Sequence, residues 1–201
     1  MKISSFFFIQ ILGLVIHFIA AESGSFESFE NACKNDDVEK VKLILEENSD
    51  YLNRRGGGGQ TPLMASVLSG SIAVVEYLLS VPEVDVTIGE NDGYTPMHGA
   101  GFQGRAIIAE RLIAHGLDPS DMHKDGFTPI HRAAWGNEKR HTDTVRVFLK
   151  AGVSASEKSR DGKTADMMTM NKGTKKLLKK ALKLEAKKST ETTTQPTHFE
   201  L

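Results

Sequence analysis

A short stretch that returns at nearly fixed intervals constrains this chain more than any other feature. It runs Asp125-Gly126-Phe127-Thr128-Pro129-Ile130-His131-Arg132-Ala133-Ala134, and it recurs upstream as Asp92-Gly93-Tyr94-Thr95-Pro96-Met97-His98-Gly99-Ala100 and as Gly58-Gly59-Gln60-Thr61-Pro62-Leu63-Met64-Ala65-Ser66. A degenerate copy, Asp161-Gly162-Lys163-Thr164-Ala165-Asp166-Met167, follows. Thr61, Thr95, Thr128 and Thr164 are spaced by 34, 33 and 36 residues. Each residue type has a local task. Asp-Gly makes a tight turn in which glycine takes positive φ, and Thr-Pro reads as an N-cap followed by proline at the first helical position, where a missing N–H does no harm. Ile130, Ala133 and Ala134 then give the helix one large and two small apolar residues on one side, which suits close packing against similar helices.

Period, turn dipeptide, Thr-Pro start and a later glycine (Gly70, Gly104) together resemble the ankyrin-repeat family, whose unit is about 33 residues with a turn, a Thr-Pro-Leu-His-x-Ala helix and a second helix. The resemblance implies an all-α solenoid of stacked helix–turn–helix units joined by β-turn loops. Five repeats are expected, roughly 25–57, 58–91, 92–124, 125–160 and 161–188, within a domain spanning 22–188.

The terminal repeats are atypical, as the caps of a stack should be. In the first, Phe29 and Ala32 fall in register with Leu63 and Ser66, and Val41, Ile44 and Leu45 with Val75, Leu78 and Leu79. Between Glu22 and Asp50 nine acids face three lysines, a charge of −6 that reads as a solvated capping surface. Cys33, the only cysteine, shares its register with Val67, Gly101 and Ala134 and is expected to be a small buried residue. The second helix of the second repeat, over 72–79, is β-branched enough to pass for a strand, but the repeat context makes it a helix. In the fourth repeat the second helix, expected over 141–150, is delayed by three residues, with Glu138-Lys139-Arg140 as the expected loop insertion. The last helix, expected over 174–188, sets Leu177, Leu178, Ala181 and Leu182 on one face, and its seven lysines, from Lys175 to Lys188, against Glu185 give +6.

The flanks are not part of the fold. Residues 1–21, Lys2 followed by an apolar run and small residues at its exit, read as a secretory signal peptide, with an uncleaved signal anchor as the alternative. Either way the remainder is delivered to the lumen or outside the cell. The tail, 189–201, is threonine-rich without apolar periodicity and is expected to be disordered. It ends His198-Phe199-Glu200-Leu201, which resembles the Lys-Asp-Glu-Leu and His-Asp-Glu-Leu retrieval signals of the endoplasmic reticulum except at Phe199. Residence in that lumen is the expectation, and secretion is the alternative.

At 39% hydrophobic and 25% charged residues with a net charge of −1, nothing global suggests nucleic acid. No nucleophile, base and oxyanion donors converge in the sequence, so no enzyme, cofactor or metal is expected. His98 and His131 occupy the histidine of the Thr-Pro-x-His motif, which the family uses for structural hydrogen bonds; His115, His123 and His141 fall in loops or at helix starts with no partner at ligand spacing. The remaining reading is a non-catalytic protein-binding module or scaffold, or a membrane-tethered one if the anchor stays. Ankyrin-like stacks bind through a concave face. Seven residues after the motif threonines come Leu68, Phe102 and Trp135, flanked by Gln103 and with Tyr94 and Phe127 at neighbouring turn tips; these six are the candidate partner site. The partner is a protein of unspecified identity and the chain is expected to be monomeric. A weak contact of the lysine helix with an acidic partner or anionic headgroups is a second expectation.

Overall fold

The computed structural model describes residues 24–193, so the expected signal segment and the His198, Phe199, Glu200, Leu201 terminus lie outside the described residues. The described residues divide into two compact units, one up to Asp85 and one from Val86. All regular structure in the described residues is helical, apart from one isolated bridge between Lys158 and Thr164.

The first unit holds four α-helices: α1 (Phe26–Lys34), α2 (Val38–Glu47), α3 (Pro62–Ser69) and α4 (Ile72–Ser80). Side-chain caps set where they begin. Ser25 accepts from the Ser28 amide at 3.1 Å, Asp37 from Lys40 at 3.1 Å and Thr61 from Met64 at 3.2 Å, each answering one of the donors that a helix start leaves open. Phe29, Ala32 and Cys33 of α1 are buried with Val41, Ile44 and Leu45 of α2, in the register the sequence gives. Neighbouring repeats are stitched by polar bonds as well. The Asp36 carboxylate accepts from the Val74 amide at 2.9 Å, and the Ser71 hydroxyl donates to the Lys34 carbonyl at 3.1 Å. Despite its β-branched residues, 72–80 is helix, because Val74, Val75 and Leu78 find their burial there.

The second unit holds α5 (Pro96–Gln103), α6 (Ala106–Ala114), α7 (Pro129–Trp135), α8 (Lys139–Lys150), the short α9 (Ala165–Met168) and α10 (Lys172–Thr193). Helices α5 and α7 pack together, as do α6 and α8. Gly101 permits the first contact: a Cβ there would stand 2.5 Å from the Pro129 carbonyl oxygen.

Three expectations need correction. The proposed loop insertion is mostly helix, since α8 begins at Lys139 and only Glu138 stays outside. The Lys139–Asp143 ion pair at 2.5 Å and the Thr144 hydroxyl bonded to the Arg140 carbonyl at 2.9 Å hold that first turn. The last helix starts at Lys172, because the Asn171 side chain accepts from the Gly173 and Thr174 amides at 2.9 and 3.2 Å. It also continues to Thr193, so 189–193 are helical rather than part of a disordered tail. The Ser189 and Thr190 hydroxyls bond back to the Ala186 and Lys187 carbonyls, each at 2.8 Å, and so do not compete with the helix.

Candidate functional site

The turn tips and first helices of repeats three and four carry most of the aromatic candidates. At Thr95 and Thr128 the N-cap hydroxyl meets the motif histidine, lying 2.9 Å from His98 Nδ1 and 2.8 Å from His131 Nδ1, and at Thr128 it also accepts from the His131 amide in a capping box. The Thr128 amide also reaches His131 Nδ1 at 3.4 Å, and Nε2 stands 3.2 Å from the Lys163 carbonyl oxygen, so the ring is the tautomer with hydrogen on Nε2. Burial pushes both histidines below their ordinary pKa, which keeps them neutral. They are structural residues, as the motif implies.

On this scaffold Tyr94, Phe127 and Trp135 do not form a row of free rings; they surround Arg132. The guanidinium of this buried arginine lies 4.7 Å from the Tyr94 ring centroid, 5.1 Å from Phe127 and 4.3 Å from Trp135. Phe127 and Trp135 meet edge to face at 5.1 Å. Arg132 donates to Asp125 and to the Tyr94 hydroxyl, the latter at 2.6 Å, and Tyr94 donates in turn to Asp125 at 2.7 Å. Tyr94 stacks on His123 with centroids 3.9 Å apart, and His123 places Nδ1 2.9 Å from Asp125 and Nε2 2.8 Å from the Asp92 carbonyl oxygen. Burial works to raise the Asp125 carboxyl, but the bonds from Tyr94, His123 and the Phe127 amide, with the Arg132 charge, hold it far below the usual carboxylate range. A charged network with aromatic walls fixes three rings in one orientation before any partner arrives.

The other candidates sit apart from that network. Phe102 is 55% exposed at the end of α5 and shares no ring contact with the three, and Gln103 beside it is half-buried. Trp135 is 38% exposed. Leu68 belongs to the first unit, where it is half-buried at the end of α3.

Arg132, Asp125 and His123 are the residues that sequence reasoning missed. His123 and His141 make structural bonds that their positions in the sequence do not reveal. His123 engages Asp125 and Asp92, and the buried His141 has Nε2 3.2 Å from the Phe102 carbonyl oxygen. His141 also explains why a glycine stands at the end of α7 although its backbone there is extended. Its ring fills the space beside Gly136, where a Cβ would come within 2.0 Å of it.

Among the described residues no three or more His, Cys, Asp or Glu side chains are grouped to hold a metal ion. No described helix is long and apolar enough to cross a membrane.

Comparison with known proteins agrees with the architecture. A family model of ankyrin repeats in three copies matches residues 29–122, and a single ankyrin-repeat model matches 125–160. The chain is 29% identical over 130 residues to the putative ankyrin repeat protein YahD of Escherichia coli, covering 61% of each protein. It is 36% identical over 90 residues to the human SMC5-SMC6 complex localization factor protein 1, covering 44% of this chain and 8% of that protein. Against the E3 ubiquitin-protein ligase KEG of Arabidopsis thaliana the identity is 29% over 126 residues, 62% of this chain and 8% of that one. The chain therefore spans only part of each of these relatives. Repeat period, Thr-Pro helix starts, paired helices and matched family models all lead to one placement: the chain belongs to the ankyrin-repeat family.

Proposed function

We propose that this chain is a non-catalytic module that captures a protein partner in the lumen of the endoplasmic reticulum, through the aromatic ledge of its third and fourth repeats. Ankyrin repeats generally mediate protein–protein interaction, and the observation that carries the finer reading is the exposed Trp135 edge beside Phe127, fixed by Arg132. Rigid, part-exposed aromatics lose little conformational entropy on binding and recur at interface hot spots. Phe102 holds the register of Trp135 in the third repeat, with Gln103 beside it, and Leu68 holds that register in the second. The luminal address rests on the two termini read from sequence. Phe199, in place of the acid that the retrieval signal carries, favours secretion as the second reading, with an external partner bound through the same residues.

Two measurements test this. A photo-reactive residue in place of Phe102 should crosslink a discrete set of proteins in secretory cells, whereas one at Ile107, equally open on α6, should not. Crosslinking of the same set from both positions would end the ledge reading. Deleting residues 198–201 should move the protein from lumen to medium; if the undeleted chain is already in the medium, the address is extracellular.

A further inference from the structure

Away from the aromatic ledge, the last helix makes a second surface. Helix α10 lies against α8 through Leu178 and Thr174, both fully buried, with the Thr174 and Thr142 hydroxyl oxygens 2.7 Å apart. Beside that seam runs an open groove of about 330 Å³. Its floor is apolar: Leu149 from α8, and Leu177, Ala181 and Leu184 from α10, of which Leu184 is 53% exposed. Its rim is cationic: Arg146, Lys150 and Lys180.

Among the described residues these charges have few counterions. The one acid in the lining, Glu185, is turned away, accepting from the Ala155 amide at 2.7 Å and the Ser154 hydroxyl at 2.9 Å. Arg146 has a single carboxylate neighbour, Asp143, at 3.8 Å. Lys150 and Lys180 have no carboxylate within ion-pair reach among the described residues, nor do the neighbouring Lys176 and Lys183 on the exposed side of α10. An exposed apolar floor inside a positive rim whose lysines carry no ion pair is complementary to a segment that brings both carboxylates and apolar side chains.

We propose that the groove between α8 and α10 docks a short acidic, amphipathic segment of a protein partner. Its apolar side chains rest on Leu149, Leu177, Ala181 and Leu184 while its carboxylates meet Arg146, Lys150 and Lys180. A membrane surface fits less well. The fully buried Leu178 of α10 is turned into the body of the unit and is not free to insert, and a flat headgroup layer does not enter a cleft between two helices.

The test uses the full chain and a fluorescent synthetic peptide with leucines at i, i+3, i+4 and i+7 and glutamates elsewhere, followed by anisotropy. Saturable binding is expected. It should weaken about tenfold or more with Leu184→Asp, and separately with Lys150→Glu combined with Lys180→Glu, as loss of a central anchor does. Trp135→Ala should leave it unchanged. Replacing the peptide leucines with serine, or its glutamates with lysine, should weaken binding to the same degree. Absence of saturable binding overturns the proposal, as does affinity that ignores Leu184→Asp. Binding to phosphatidylserine vesicles in place of the peptide overturns it too, and reassigns the lysines to a membrane. Far-ultraviolet circular dichroism checks that both variants, which change exposed positions, keep the fold.

Discussion

The Tyr94 hydroxyl donates to Asp125 Oδ2 at 2.7 Å, tying the turn tip of one repeat to the turn tip of the next. Arg132 reaches the same carboxylate from the helix that this second turn begins. Asp125→Ala would leave the guanidinium buried among rings with no counterion, and a buried charge stripped of its partner is more destabilising than the pair was stabilising. We expect a loss of about 2–4 kcal/mol in denaturant unfolding. Tyr94→Phe, which removes one hydroxyl and keeps the ring, should lose about 1 kcal/mol. Equal losses for the two variants would mean that the Arg132 charge does not depend on Asp125.

The same groups set a pH dependence with two separate windows. His98 and His131 are held below the ordinary histidine pKa by burial, so the unfolded chain takes up protons first as the solution is acidified. Their contribution is fully present above about pH 6.5 and is lost as pH falls through the lowered folded values. Asp125 is a depressed carboxyl, so its contribution is present above about pH 4 and is lost only in stronger acid. Thermal melts should show a first decline below neutrality and a second in acid. His131→Gln should reduce the first decline and leave the second; an unchanged first decline would remove His131 as one of its causes.

Gly101 gives a prediction with an unusual sign. Glycine inside a helix is ordinarily less favourable than alanine by about 1 kcal/mol, so Gly→Ala usually stabilises. Here the added Cβ would meet the Pro129 carbonyl oxygen at 2.5 Å, and backbone cannot swing aside as a side chain can. Gly101→Ala should therefore destabilise by about 1–3 kcal/mol through overpacking between α5 and α7. A stabilised variant would show that the two helices separate at little cost.

The fold was legible in the sequence where its determinants are local. Turn dipeptides, Thr-Pro starts and the apolar register of Phe29, Val41, Ile130 and Ala133 each act within a few residues, and they fall as expected. The site was legible in its aromatic members but not in what holds them. An arginine in a first helix reads as an exposed charge, and only the fold brings Arg132 to Tyr94, 38 residues away. The one trace is that Asp125 precedes Arg132 by seven residues, on the turn that starts its helix. His123 and His141 were harder still. Their long-range partners are the carbonyls of Asp92 and Phe102, and a backbone oxygen leaves no residue type to recognise. The start of α8 was misplaced for a related reason, since Lys139 and Arg140 look like loop residues until Asp143 is set one turn below.

Cys33 closes the set because its burial and its chemistry make one prediction. It is fully buried in α1, and burial pushes its thiol up to about 12, partly offset by a hydrogen bond with Ser66. The thiolate is the reactive form, so the folded chain should resist a bulky maleimide at mildly alkaline pH and react only as fast as it opens. Labelling should accelerate across the denaturant midpoint and track the loss of helical signal. Cys33→Ala should lower stability by about 1 kcal/mol and Cys33→Leu by about 1–3 kcal/mol, since the same register holds only the small or medium residues Val67, Gly101 and Ala134 in the later repeats. Rapid labelling of the native chain with no change in its helical signal would instead mean that the first repeat opens by itself, and that the capping unit is the least stable part of the first body.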